Sequence, residues 1–255
     1  MNVLLVGCGK MGGALAHRWQ AKKICDDLLI VDPVSSQTKS FKDIPASFKP
    51  NVIVFAVKPQ ALAEFLQEYK VYAGALFLSV AAGKPMGFFE KHLGTTAKIV
   101  RSMPNTPAAV GKAITVACAN KNVNGAEKDQ ATKLLRAIGD VVWVEKESLL
   151  NPVTALSGSG PAYVFLLIET LAKAGVHLGL EPEMAEKLAR QTVIGSAALA
   201  EADAATSAAQ LRQNVTSPGG TTEAALKTLM AHPGIQDIFD RALKAASKRA
   251  EELSQ

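Results

Sequence analysis

Aromatic residues make up only 5% of the 255 positions, and they do not interleave with clusters of basic side chains. A nucleic-acid reader needs both, because bases stack on rings while phosphates sit on lysine and arginine. Here Lys plus Arg exceed Asp plus Glu by only 28 to 23. The one dense group, Lys244, Lys248 and Arg249, reads as the solvated face of a last helix. Nucleic acid is therefore not an expected partner, whereas a net charge of +5 suits an anionic small molecule. Cysteine is equally sparse. Cys8, Cys25 and Cys118 form no CxxC pair, and His17, His92, His177 and His232 show no ligand or triad spacing. The expectation is a reduced, cytoplasmic protein without a metal. Hydrophobic runs are short: Ala162–Ile168 ends at Glu169, too soon to span a bilayer, and no basic segment precedes the apolar N-terminus, so neither membrane span nor signal peptide is expected. GxSxG, P-loop and HExxH motifs are missing, which removes the commonest hydrolase, nucleotidase and metalloprotease signatures.

What is present is an alternation of apolar strands and helices. Asn2–Val6 is a β-branched run that enters Gly7-x-Gly9-x-x-Gly12, and a helical stretch follows through Arg18 and Trp19. In that setting the first glycine permits the turn, the second admits a pyrophosphate, and the third lets the helix approach the strand. Cys8, Lys10 and Met11 are spacers that matter through their backbone N–H groups. A second strand, Leu28–Val31, ends at Asp32. Its carboxylate stands where an adenine ribose is held, or it simply starts the Asp32-Pro33 turn. Ser35, Ser36 and Lys39 follow and suit a 2′-phosphate, so these residues leave NADH and NADPH both open. Strands at Asn51–Ala56, Ala75–Val80, Lys98–Arg101, Ile114–Cys118 and Val141–Val144 continue the pattern, with a helix over Asn124–Ile138. This predicts an α/β fold, a doubly wound parallel sheet over residues 1–146, with ligands at the carboxyl ends of its strands.

From residue 147 to 255 the composition turns to alanine and leucine, and the periodicity is helical throughout. Pro161, after the small-residue run Ser157–Gly160, is expected to open a helix. The stretch that follows is apolar all round, and a helical domain of this size buries such a surface best against a second copy, which predicts an obligate dimer. The densest signal is NVTSPGGTTEAAL, Asn214–Leu226. Ser217-Pro218-Gly219-Gly220 breaks one helix, and Thr221 or Thr222 is the natural N-cap of the next. A glycine turn ahead of a helix start presents N–H donors to an anion.

Taken together, VGCGKMG, FAVKPQ, SVAAG, RSMPNTPAAVG, VTALSGSGPAYVF, AGVHLGL and LRQNVTSPGGTTEAAL resemble, in order, the signature blocks of pyrroline-5-carboxylate reductases. The resemblance implies an N-terminal Rossmann-type domain, an all-α dimerisation domain, and reduction of 1-pyrroline-5-carboxylate to L-proline by NADPH or NADH. It implies cofactor contacts from Val6, Gly7, Cys8, Gly9, Lys10 and Met11, from Ala56, Val57, Lys58 and Pro59, and on the nicotinamide side from Val80, Ala81 and Ala82. Asp32 and Ser35 stand at its adenine end. On the substrate side it implies that Ser217, Gly220 and the backbone of Thr221 and Thr222 hold the carboxylate, with the Thr222 hydroxyl as the catalytic partner of the ring nitrogen; Asn214 and Glu147 match further positions. The segment from Asp32 to Asn51 departs from the pattern, being too short and too poorly helical for a full second crossover helix.

Two other readings share parts of this pattern. A β-hydroxyacid dehydrogenase would need a lysine base with an asparagine one turn away, and Lys173 has none. A non-catalytic NAD(P)H sensor would keep the glycine loop but have no use for SPGGTT.

Overall fold

The computed structural model describes residues 1–34 and 38–254. Contacts divide the chain into two compact units, Met1–Pro161 with Ala245–Gln255, and Ala162–Lys244. Composition changes near residue 147, but the first helical residues after it and the last turns of the chain pack with the sheet.

The first unit is built on a seven-stranded sheet of order β2-β1-β3-β4-β5-β6-β7. Its strands are β1 Asn2–Val6, β2 Asp27–Val31, β3 Val52–Phe55, β4 Leu76–Ser79, β5 Lys98–Met103, β6 Ala113–Ala119 and β7 Gly139–Trp143. Alternation along the strands divides the core into two layers. Val3, Leu5, Val54 and Leu78 face α1 (Lys10–Ala21) and α4 (Gly125–Arg136), where Leu15, Trp19 and Leu134 are buried. Leu4, Ile53, Phe55 and Phe77 face the other side, against α2 (Leu62–Phe65), the 3₁₀ turns after it and α3 (Met86–Leu93). Burial of each such side chain stabilises by roughly 1.5–3 kcal/mol. Trp19 Nε1 donates to the Leu134 carbonyl at 2.9 Å, satisfying the buried indole while joining the two helices of its layer.

The sheet is parallel from β2 to β5, but β6 runs antiparallel to β5, and β7 is parallel to β6. The expected parallel sheet is thus present over five strands, with one reversal at β6. Its cause is the β5–β6 connection, residues 104–112, which is shorter than the dozen or so residues that a parallel crossover requires. Between β2 and β3 the described residues contain one short 3₁₀ turn, Phe41–Asp43, in place of a crossover helix.

The helix expected to open at Pro161 is present, with Pro161 in its first turn, but it does not start from a loop. The chain is already helical from Glu147, through α5 (Leu150–Val153) and one wide turn, into α6 (Gly160–His177). Ser159 N donates to Thr154 O at 2.8 Å, a bond across five residues. Proline has no N–H to give to the carbonyl four residues back. That carbonyl, on Ser157, is taken by Asn105 Nδ2 at 3.2 Å, while Asn105 Oδ1 accepts from Ile114 N. The helical run Glu147–His177 contains a stretch of mean hydropathy 1.3 and is long enough to cross a bilayer by length and composition. Leu150 and Ala155 in its first part are buried in the sheet unit.

The second unit contains the rest of α6, α7 (Pro182–Ala202), α8 (Ala208–Asn214), α9 (Thr221–Leu229) and the first part of α10 (Ile235–Leu253). Gly175 of α6 lets Ala185 of α7 approach closely, and Tyr163 meets Phe239 edge-on at 6.2 Å. Among the described residues of this unit, the buried hydrophobic side chains are Ala185 and Ala189. Val164, Phe165, Leu166 and Leu167 are all exposed on a single chain.

Candidate active site

The sheet unit places one group of expected residues around the carboxyl ends of its parallel strands. Gly7 follows β1 with φ +93°, and a Cβ there would lie 2.6 Å from Val57 Cγ1 and 2.8 Å from Ala56 O. The loops after β1 and β3 are therefore in contact. Gly12 is tighter still, because a Cβ would fall 2.1 Å from Gly7 O. Gly9 has the opposite character: nothing lies within 4 Å of its Cβ position. Gly9 is the N-cap of α1 and has no side-chain cap. The open space thus faces the first N–H groups of a helix, which is the environment a pyrophosphate needs.

Asp32 joins the two turns. Its Oδ2 accepts from Cys8 N at 2.8 Å and its Oδ1 from Val34 N at 2.9 Å. The turn-forming reading is realised here. The same bond occupies the Cys8 N–H, one of the expected phosphate donors. Ser35 lies outside the described residues. Beside these turns is a cavity of about 290 Å³ with Val6, Gly7, Val31 and Val57 among its apolar walls and Lys39 and Glu68 at its rim. Tyr69 forms part of it, stacked edge-on to Phe41 and Phe55 at 5.1 and 5.5 Å, with burial pushing its phenol pKa up. Glycines that exclude any Cβ, an uncapped helix start and an apolar slot with Lys39 at its edge fit a dinucleotide. Lys58 and Pro59 follow β3 as the start of a 3₁₀ turn.

Val80, Ala81 and Ala82 follow β4. Ala81 is buried and its N–H donates to Ser79 Oγ at 3.2 Å, which makes this loop stiff. Glu147 belongs with it. Its Oε1 accepts from Met86 N, the first residue of α3, at 2.7 Å and pairs with the Arg101 guanidinium. One oxygen of the Glu147 carboxylate is therefore engaged within the sheet unit. The missed signal was Arg101 itself, since a charge in the buried strand KIVRSM needs an anionic partner.

The other group lies in the helical unit. After α8 the chain turns at Gly219, with φ +72°, and Gly220 N donates to Ser217 O at 3.0 Å. The N-cap of α9 is Gly220, not either threonine, and no side chain caps it. Gly220 adopts the extended capping conformation without a Cβ, so Thr221 and Thr222 become the first two helical residues. Among the described residues neither threonine hydroxyl has a partner within the chain. Glu223 Oε2 accepts from Gly219 N at 2.6 Å and secures the turn. Asn214, at the end of α8, accepts through Oδ1 from Gln210 Nε2 at 2.8 Å. Ser217 is exposed beside the turn. The arrangement offers backbone N–H groups and three hydroxyls to a small anion.

Known proteins resemble this chain along most of its length. A family model described as pyrroline-5-carboxylate reductase dimerisation matches residues 147–253. A pyrroline-5-carboxylate reductase of Pseudomonas aeruginosa is 40% identical over 238 residues, covering 92% of this chain and 84% of that one. Among solved structures, a pyrroline-5-carboxylate reductase from Coxiella burnetii superposes with a TM-score of 0.91 at 36% identity, covering 100% and 98% of the two chains. A Plasmodium falciparum pyrroline carboxylate reductase with NADP bound gives 0.86 at 32% identity, again over 100% and 98%.

Proposed function

Because the chain belongs to the pyrroline-5-carboxylate reductase family and is an NAD(P)H-dependent oxidoreductase of proline biosynthesis, we propose that the turn from Ser217 to Thr222 is where its substrate is held. The observation that supports this is the uncapped start of α9, with the unpaired Thr222 hydroxyl beside it. Ser217 and the Thr221 and Thr222 backbone hold the substrate carboxylate, where the helix dipole favours negative charge, and Gly220 shapes the turn with its own N–H on Ser217 O. The Thr222 hydroxyl meets the ring nitrogen, orienting the C=N bond and stabilising the form in which that nitrogen carries its proton. When bound, the nicotinamide cofactor supplies the hydride. No strong acid is needed on the protein, because a protonated cyclic imine is already electrophilic; the chain contributes position. Asn214, at the end of α8, is a further substrate-side residue, and Glu147 is a positioning residue that fixes the start of α3. We assign residues 147–255 to substrate binding and to assembly as a dimer or an oligomer of dimers. The chain homo-oligomerises through this part. The three free cysteines fit a cytoplasmic site.

The test is the loss of NADPH absorbance in the presence and absence of 1-pyrroline-5-carboxylate. Thr222→Ala is expected to lower kcat about 10²-fold, the scale of one lost transition-state donor, with the KM for NADPH within about twofold of the starting enzyme. Unchanged turnover would remove Thr222 from the mechanism.

At the adenine end we propose that Lys39 governs the choice of cofactor. Its side chain lines the cavity, its Nζ is 3.5 Å from the Val34 carbonyl, and the nearby Asp32 carboxylate is held by two backbone donors. Lys39→Ala is expected to raise the KM for NADPH about tenfold through loss of a charge-assisted phosphate contact, and to leave that for NADH nearly unchanged. An equal change for both cofactors would place the 2′-phosphate elsewhere.

A further inference from the structure

The loop from Val80 to Pro85 is held from three directions, all within the sheet unit. Ala81 is buried, with its N–H on Ser79 Oγ, and Met86 at the start of α3 is bonded to Glu147. The third support comes from the opposite end of the sequence. A Cβ on Gly83, whose φ is +73°, would lie 3.0 Å from Leu253 O and 3.3 Å from Leu253 Cβ. The last turn of α10 therefore rests directly on the loop, and only glycine supplies both the left-handed backbone and the clearance.

Ordinary burial of an apolar helix end does not account for this contact, because the Leu253 side chain is 51% exposed. The backbone of the turn makes the approach. The turn is itself fixed: Ala250 is buried, and Ser254 Oγ lies 2.8 Å from Ala250 O and 3.4 Å from Asn151 Oδ1 of α5. We propose that the C-terminal turn Ala250–Ser254 is a positioning element for the hydride-transfer step, holding Val80–Gly83 in place before the cofactor arrives. The proposal rests on the reading of Val80, Ala81 and Ala82 as the nicotinamide-side loop. A loop ordered in advance keeps the reacting groups in a productive arrangement, and small misplacements there are costly to turnover.

Two variants test it, a chain ending at Arg249 and Gly83→Ala. In the cofactor-free protein, the amides of residues 80–84 are expected to exchange with solvent at least about tenfold faster in both variants, with the β4 amides unchanged. With NADPH and 1-pyrroline-5-carboxylate, kcat is expected to fall about tenfold, and the primary isotope effect from 4-deuterated NADPH to rise as the hydride step becomes limiting. The KM for the imine should stay within about twofold. If the shortened chain fails to fold, Gly83→Ala carries the same readouts. Wild-type exchange at residues 80–84 together with a wild-type isotope effect, in protein of unaltered oligomeric size, would overturn the proposal. Absence of turnover in the full chain would instead strike the assignment of the loop to the nicotinamide, and the exchange measurement would still decide whether the C-terminal turn orders it.

Discussion

Phe165→Asp is expected to abolish the folded oligomer. On a single chain Phe165 is 64% exposed and Leu166 59%, with Val164 and Leu167 beside them, so consecutive apolar residues of α6 point in every direction round the helix. Polar residues normally occupy at least one face of a helix that borders water. The helical unit has only Ala185 and Ala189 as buried hydrophobic side chains among its described residues, which is far too little apolar burial to offset the ordering of its backbone. A second copy supplies the missing core. Covering roughly 100 Å² of a phenylalanine contributes about 2.5 kcal/mol at 25 cal/mol/Å², and an unpaired carboxylate placed there costs several kcal/mol more. The sum approaches the whole stability of a typical domain, about 5–15 kcal/mol. Size-exclusion chromatography and far-UV circular dichroism should show loss of the oligomer and of helix content together. Lys173→Ala is the control: it removes an exposed i,i+4 pair with Glu169, worth a few tenths of a kcal/mol, and should leave assembly intact. An oligomer of unchanged size and stability in Phe165→Asp would mean that α6 faces water, and the assembly would have to be sought on another helix.

Much of the sheet was legible because its signals are local. Short apolar runs such as VLLV and VIVF, each stopped by a turn, gave β1 and β3 to within a residue, and the glycines of Gly7-x-Gly9-x-x-Gly12 occupy the positions their spacing implied. The features that escaped depend on partners distant in sequence. The direction of β6 follows from the length of the connection before it, not from its own residues, which would suit either orientation. Pro161 lies in the first turn of α6 as its sequence suggested, but that α5 and a wide turn lead straight into it was not visible, because the Ser157 carbonyl there is satisfied by Asn105, on another element altogether. The threonine pair in SPGGTT looked like a cap because threonine caps well. Gly220 took that place, and the hydroxyls were left unpaired. For Glu147 the ion pair with Arg101, in mid-strand, was not visible from its own sequence neighbours. In each case what escaped was set by neighbours, not by the residue's own preference.

The glycine loop allows folding and cofactor binding to be separated by a single methyl group. Gly9→Ala is expected to fold as well as the natural chain, since its Cβ would have no neighbour within 4 Å and the backbone, at φ −70° and ψ −160°, suits an L-residue. Loss of glycine freedom in the unfolded state would even stabilise slightly, by about 0.4–1 kcal/mol. The same methyl occupies the space that a pyrophosphate must enter to reach the N–H groups of α1, so the Kd for NADPH should rise at least about 100-fold, with turnover falling in step at fixed cofactor concentration. Gly12→Ala makes the opposite demand. Its Cβ would lie 2.1 Å from Gly7 O and 3.2 Å from Ala56 Cβ, so α1 and the turn after β1 cannot keep their packing. A clash of that size with backbone puts the loss of stability at roughly 4 kcal/mol or more, among the largest effects of single substitutions. Thermal unfolding and equilibrium NADPH titration on the two variants decide the matter together. Gly9→Ala that binds NADPH as well as the natural protein would show that the open space above Gly9 is not the phosphate site, whatever the stability of Gly12→Ala. A Gly9→Ala chain that loses NADPH while keeping its unfolding temperature would establish that this space is kept empty for the cofactor and not for the fold.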